Sequence, residues 1–288
     1  MNLDKSQSFD VAWDLKHERL TLGGALTLRA EAEMIAQLNI QEEFLVYIKP
    51  GSNDIKKVMK VFEIAFRSSE LSFIGKIEDG HQPQYPDFFF DYESRIENYS
   101  TRRVAEIFKT YSIRPQLTWN QRVLWKLNSV SDYFNENSVL VSLKNFESDF
   151  VGSNANLDIW LTAFRELNRI KNLNFILIGG DFLTEKELSE KYILSLQIVG
   201  IELEVQLALI SNLPLFIGTA SGIATPAIFG HNRYTIYKHP QHHTESMKNE
   251  TEDGKFPFSV PGQDFKLSIP TVDVIVADVI KHWDSRTT

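Results

Sequence analysis

Two hydrophobic periods alternate along the chain. In the first half, "FDVAWDL" (9–15), "EFLVYIKP" (43–50) and "ELSFIG" (70–75) are short apolar runs of strand length. Between them, "GGALTLRAEAEMIAQL" (23–38) and the set Ile55, Val58, Met59, Phe62, Ala65 and Phe66 carry apolar residues three and four apart, one face of a helix. Val104, Ile107, Phe108 and Tyr111 predict another helix, after a Pro-, Tyr- and Asp-rich loop over 80–100. The segment 118–138 leads out of this half into a polar Asn/Glu/Ser cluster, which predicts a domain boundary there.

The alternation then restarts. "VLVSL" (139–143) predicts a strand, and Trp160, Ala163, Phe164, Leu167 and Ile170 mark a helix. Strands "NFILIGG" (174–180) and "LSLQIV" (194–199) follow, then helix 202–212, the stretch "LPLFIGTASGIATPAIFG" (213–230) and strand "RYTIYK" (233–238). A polar loop is expected over 239–264, and Val272, Ile275, Val276, Val279, Ile280 and Trp283 define a closing helix. Strands alternating with helices imply parallel sheets covered by helices. The expected fold class is α/β, with two doubly wound domains facing a central cleft. The expected domains are 1–137, 138–270 and a terminal helix, 271–288, free to pack back on the first domain.

Composition narrows the function classes. The 288 residues suit two domains of roughly 130–150 residues each. The net charge of −8, from 30 basic and 38 acidic residues, gives no reason to expect a nucleic-acid partner. The absence of cysteine removes disulfides, thiolate catalysis and Cys-ligated metals. No signal-peptide pattern opens the sequence, and no apolar run approaches the ~20 residues of a membrane span. A cytoplasmic protein is expected, with peripheral membrane association left open.

The chemistry concentrates in 213–230. A buried strand runs into Gly218-Thr219-Ala220-Ser221-Gly222 and then into an apolar helix with Pro226 in its first turn. Glycines let backbone approach a ligand, hydroxyls of Thr219, Ser221 and Thr225 cap or donate, and a helix start favours an anion. Gly179 and Gly180 end an earlier strand of the same sheet, and Lys144 and Asn145 directly follow strand 139–143, so all should share the carboxyl rim where such sheets bind ligands. Lys144 would neutralise a phosphate. The alternative is a plain strand-to-helix turn with Ser221 as its cap and Lys144 a solvated loop residue.

This turn resembles the nucleotide-sugar-binding half of GT-B glycosyltransferases, above all the heptosyltransferase-like group and bacterial polysaccharide-biosynthesis transferases. That group carries Gly-x-Asp-Ser-Gly, a histidine and an Ala-rich helix ending in Gly. Here Ala220 replaces the Asp, Thr225 stands where the His is expected, and Ala227 and Gly230 complete the helix. The resemblance implies a metal-independent transferase, with a nucleotide-sugar donor at Ser221, Gly222 and Thr225, and a glycan or other hydroxyl acceptor. It also implies an acceptor-side loop at Gly23-Gly24, where the group carries Gly-Asp with the Asp as base. Asp14, ending the first strand, is the nearest substitute base or else a turn former. Arg19 and Arg29 would meet an anionic acceptor or lie on the surface.

Other motifs carry less. His239, His242 and His243 have metal-like spacing in a loop without a carboxylate partner. "DFFFDYES" (87–94) holds an acidic pair outside any Asp-x-Asp, and "DFVGSNANLD" (149–158) is a polar loop able to close over a donor or cap a helix. Neither a Gly-x-Gly-x-x-Gly after the first strand nor a Walker loop is present, so NAD use is not expected, and the resemblance implies that no cofactor is required beyond the donor substrate. The alternatives are a sugar-nucleotide epimerase of the same fold and a non-catalytic nucleotide-sugar or glycan binding protein. Base, sugar, acceptor, stereochemistry and oligomeric state are not encoded in any motif.

Overall fold

The computed structural model describes residues 9–39, 43–85, 100–145, 151–179, 190–242 and 250–285. The chain divides into two compact units, Met1–Val123 and Leu124–Thr288. The division falls inside a helix, α4 (Gln121–Ser129), earlier than the polar cluster expected to mark it.

The first unit is built on a parallel sheet in the order β1-β2-β3, with β1 (Asp10–Asp14), β2 (Glu43–Lys49) and β3 (Ser72–Ile77). Helices α1 (Leu22–Asn39), α2 (Ile55–Phe66) and α3 (Ser100–Tyr111) pack together, α2 and α3 both against α1. Rings of Trp13, Phe62, Phe66 and Phe73 interlock between sheet and α2. β3 starts two residues later than its apolar pattern predicts. The Ser69 hydroxyl accepts from Leu71 N (3.1 Å) and donates to Glu33 (2.6 Å), holding the preceding residues in a turn.

Helix α1 buries three charges. Arg29, expected on the acceptor side, has 0% exposure. Its guanidinium donates to Glu33 (2.7 Å), the Ala65 carbonyl (2.8 Å), Ser68 (2.9 Å) and the Thr118 carbonyl, and lies 4.7 Å from the Trp119 ring centre. Arg103 of α3 likewise grips Glu31 (3.0 and 3.1 Å) and Glu18 (3.1 Å). Arg29 is therefore a core tie between α1, α2 and the 118–119 segment, with no face left toward a ligand.

The second unit holds a six-stranded, wholly parallel sheet ordered β6-β5-β4-β7-β8-β9. These are β4 (Ser138–Ser142), β5 (Asn174–Leu177), β6 (Ile193–Ser195), β7 (Leu215–Thr219), β8 (Arg233–Lys238) and β9 (Gln263–Leu267). From β4 the chain winds outward to β6, then returns to β7 beside β4 and winds the other way. One face packs α5 (Leu157–Lys171) and α8 (Val272–Asp284), with Val139, Val141, Phe164, Phe175, Ile217 and Ile275 in one cluster. Thus the terminal helix packs within its own unit. Helices α6 (Leu203–Asn212) and α7 (Thr225–Phe229) pack on each other.

Two strands differ from the pattern. β6 is cut short because Ile198 and Val199 are exposed in a turn closed by Gly200, whose φ of 78° suits glycine. β9 falls partly in the expected loop. Its alternate residues Asp264 and Lys266 face α8 as ion pairs, with Lys281 (3.2 Å) and Asp278 (2.6 Å), so the strand lacks an apolar signature.

His282 of α8 belongs to the same polar layer. Its Nε2 lies 2.9 Å from Thr235 Oγ1 and 3.8 Å from Asp264 Oδ2. Burial pushes its pKa below the usual 6.5; Asp264 and Asp278 pull it up, and Lys281 and Arg233 push it down. A depressed histidine pKa means that the unfolded chain binds the proton first. Its contribution is therefore intact above about pH 6.5 and falls away as the pH drops from there toward the folded value. Replacing it by Gln, which keeps a partner for Thr235, removes that dependence. Urea unfolding should show a gap between wild type and His282→Gln that is constant above about pH 6.5 and narrows below it by up to ~1.4 kcal/mol per pH unit. Parallel curves would refute the assignment.

Candidate functional site

In open parallel sheets, ligands bind beyond the carboxyl ends of the strands where the winding reverses, because the following loops diverge there. In this unit that point is the β4/β7 boundary, paired from Leu140 with Phe216 to Ser142 with Gly218. The expected donor residues collect at it. A Cβ on Gly218 would come within 2.1 Å of the Ser142 carbonyl oxygen, so only glycine allows the two backbones this spacing. Thr219 Oγ1 accepts from Lys144 N at 2.6 Å, stitching the loop ends together. Ser221 Oγ lies 3.5 Å from Ser142 Oγ. Lys144, largely buried, donates from Nζ to Ser153 Oγ at 2.6 Å, and Asn145 beside it is exposed.

Gly179 joins from the β5 side. Its φ is 86°, its N–H donates to Gln206 Oε1 (2.8 Å), and a Cβ there would strike Ile223 Cδ1 at 2.5 Å. The turn after β7 thus rests on the end of β5. Gly180 lies outside the described residues. The turn itself is shorter than expected: one 3₁₀ turn, Gly222–Ala224, followed by the five-residue α7. Ser221 is the residue before that turn and makes no capping bond with its side chain, while its carbonyl accepts from Ala224 N (3.0 Å). Ser221 and Gly222 are half-buried and open to solvent, whereas Thr225 is buried inside α7.

A cavity of about 300 Å³ opens on the α5/α8 face of the same carboxyl edge. Residues 152–156 and the start of α5 form one wall, Thr219, Tyr237 and His239 the floor, and 268–270 the other wall. Of the residues at the crevice and cavity, Ser153 falls in the polar loop 149–158 that the sequence singles out, whereas Ser142, Gln206 and Tyr237 went unremarked in the sequence. Gln206 was the most visible of them, a lone polar residue inside the apolar run of α6. His243 and residues 87–94 lie outside the described residues, and no group of three or more His, Asp or Glu is placed to hold a metal among those described.

In the first unit, Asp14 ends β1 at the carboxyl edge of its sheet. It is 4% exposed, its Oδ1 accepts from Lys16 N (3.0 Å), and its carbonyl accepts from His17 and Glu18. Arg19 is exposed. Gly23 and Gly24 form the first turn of α1, as the period over 23–38 predicts, and not the acceptor-side loop that the resemblance implies. The Thr21 hydroxyl caps that turn by accepting from Gly24 N (3.0 Å), and Thr27 donates to the Gly23 carbonyl (2.9 Å).

No protein-family model matches the chain, and no curated protein matches its sequence. Solved structures do. A family 9 glycosyl transferase from Veillonella parvula aligns with TM-score 0.57 at 9% identity, covering 99% of each chain. The E. coli ADP-heptose lipopolysaccharide heptosyltransferase II aligns at 0.53 and 10% identity, covering 98% of this chain and 100% of that one. E. coli heptosyltransferase WaaC, solved with ADP, aligns at 0.50 and 11%, with the same coverage. The chain has a GT-B-like fold. In that fold the crevice at β4/β7 belongs to the second of two Rossmann-like units.

The close approach of β4 and β7 makes Gly218 the least replaceable residue of the crevice. Gly218→Ala should cost about 1–3 kcal/mol by forcing the strands apart. The loss would be read as a lower denaturation midpoint with an unchanged m-value, and an unshifted midpoint would disprove the close approach.

Proposed function

We propose that the protein is a glycosyltransferase that takes its sugar from a nucleotide-sugar donor and holds the donor diphosphate in the crevice between β4 and β7. The observation that carries this reading is the reversal of winding at β4/β7, with Gly218, Ser221, Gly222 and Lys144 gathered at one point. The fold likeness supports it, since the aligned structures are glycosyltransferases and one was solved with ADP.

The chemistry asked of the site is stabilisation of a leaving diphosphate. As the sugar–oxygen bond breaks, negative charge grows on the phosphate oxygens, and donors already in place lower the barrier without reorganising. Ser221 supplies a hydroxyl beside Gly222, which opens the 3₁₀ turn, and Thr219 fixes the Lys144 backbone. The Lys144 ammonium, one of whose protons goes to Ser153, supplies the positive charge. Phosphate charge is met by these groups without a metal. Asp14 stands as the base that takes the acceptor hydroxyl proton, with Arg19 on the acceptor side. The acceptor is a glycan or other hydroxyl compound, and the route is polysaccharide biosynthesis.

A thermal-shift series with UDP, GDP, ADP and dTDP tests the donor site directly. Ligand at ~100 times its dissociation constant adds about 2.7 kcal/mol, a rise of several degrees for a unit of this size. One diphosphate should produce that rise, and Ser221→Trp should abolish it while leaving the unliganded melting point close to wild type. No rise with any nucleotide would sink the donor reading and leave the turn as a turn. Asp14→Asn keeps the acceptor for Lys16 N. It should keep the diphosphate shift and lower kcat for transfer by about 10²–10⁴. Unchanged kcat would remove Asp14 as the base.

A further inference from the structure

One amide side chain is buried where packing alone calls for a hydrocarbon. Gln206 of α6 is 3% exposed, and its neighbours along the helix, Val205, Leu207, Ala208, Leu209 and Ile210, are apolar and buried. We propose that Gln206 is a positioning residue for the donor crevice: through Gly179 and Ile223 it sets where Ser221 and Gly222 stand. This rests on the transferase reading and goes beyond it, because it gives the donor turn a support outside the groups that would meet the diphosphate.

Burying an amide is unfavourable unless its oxygen and its nitrogen both find partners. Gln206 finds them in two places. Its Nε2 donates to the Ile201 carbonyl at 2.7 Å, just ahead of α6, and its Oε1 accepts from Gly179 N at 2.8 Å. Two such bonds do little more than offset the desolvation of the amide, so a leucine would serve the apolar run of α6 as well. What a leucine would not supply is the bond to the end of β5.

That end is where the turn after β7 rests. Gly179 has a φ of 86°, which bends the chain at no steric penalty only because it is glycine. Its missing side chain leaves the space that Ile223 fills, with Cδ1 2.5 Å from where a Cβ would stand. Ile223 is the middle residue of the Gly222–Ala224 turn, and Ser221 stands directly before that turn. The Ser221 side chain caps nothing, and its hydroxyl is 3.5 Å from Ser142 Oγ. The place of Ser221 therefore follows from the backbone of the turn, which leans on Gly179 through Ile223. The same bond decides what Gly179 offers a ligand. Its N–H is taken by Gln206, so Gly179 contributes room to the crevice rather than a donor.

Backbone NMR of the full chain without ligand tests the assignment. Gln206→Leu keeps apolar volume in α6 and removes the acceptor. Its amide signals for Ser221, Gly222 and Ile223 should move together with that of Gly179, while those of Tyr234 and Ile236 in β8 stay in place. Gln206→Met, unbranched and of matching length, makes the same comparison if the leucine variant fails to fold. Gln206→Glu retains an acceptor for Gly179 N but buries an acid, so it should lower the denaturation midpoint and yet leave 221–223 near their wild-type positions. A glutamine that only filled the core would leave 221–223 unmoved in all three. Affinity for a nucleoside diphosphate is the second readout. Gln206→Leu should weaken it by about tenfold, within the range over which residues in contact couple, and Ile223→Ala should do likewise. The double variant should bind no more weakly than the worse single one. Signals at 221–223 that stay put in a folded Gln206→Leu or Gln206→Met, or affinity losses that simply add, overturn the proposal. If the signals move but no nucleoside diphosphate binds the wild type, Gln206 keeps its hold on the turn and the donor reading falls instead.

Discussion

A single backbone contact organises the second unit. The Ser142 carbonyl and Gly218 lie so close that a methyl group cannot stand between them, and this spacing lets β7 pair directly with β4. With β7 beside β4, the sheet must wind one way through β5 and β6 and the other through β8 and β9. The loops after β4 and β7 then leave on opposite faces, and the gap between them is a place where polar groups converge without crowding. Lys144, Ser142 and Ser221 fill that gap because each ends or follows a strand whose other residues are apolar and buried. The same divergence leaves the cavity on the α5/α8 face, so crevice and cavity are two consequences of one strand pairing.

The first unit relies on a different device. Arg29 and Glu33, and Arg103 with Glu31, are ion pairs inside the core, where removing one partner strands a charge at a cost of about 3–5 kcal/mol. Such pairs fix how helices meet, since a guanidinium satisfies its donors in one orientation only. Arg29 ties α1 to the end of α2 and to Thr118, and Arg103 ties α3 to α1. By sequence alone an arginine in a helix reads as surface. Its partner four residues on in Glu33 suggests an exposed i,i+4 pair just as well as a buried one.

What was legible followed from periodicity. The strands β1, β2, β4, β5, β7 and β8 and the helices α2, α5, α6 and α8 are largely apolar on the side that packs, and α1 and α3 are so apart from the buried Arg29, Glu31, Glu33 and Arg103; these patterns are local. β9 was not legible because its inward positions are Gln263 and Phe265 while its other face is charged and paired with α8. The crevice was partly legible, since Gly218 to Gly222 announces itself by composition and strand ends share a rim. The cavity was not. Its lining comes from four segments far apart in sequence, the polar loop before α5, the ends of β7 and β8 and the turn after β9, and only the first of them stands out before the sheet brings them together. Gly23-Gly24 open α1, as the apolar period over 23–38 predicts, with Thr21 as the cap, so the acceptor-side loop that the resemblance implies does not form there.

The short α7 changes how an anion at the crevice must be held. A long helix would bring a macrodipole equivalent to about half a charge, concentrated on its first turn. Five residues behind one 3₁₀ turn bring far less, and Thr225, the hydroxyl nearest the start of α7, is buried within it. In the proposed reaction the charge of a diphosphate would therefore fall on groups fixed by the β4/β7 pairing itself: the Lys144 ammonium, tethered to Ser153, and the Ser221 hydroxyl beside Gly222. A site of this kind depends on the placement of one lysine by strand packing. That ties donor affinity in the proposed reaction to the same Gly218–Ser142 contact that sets the order of the sheet.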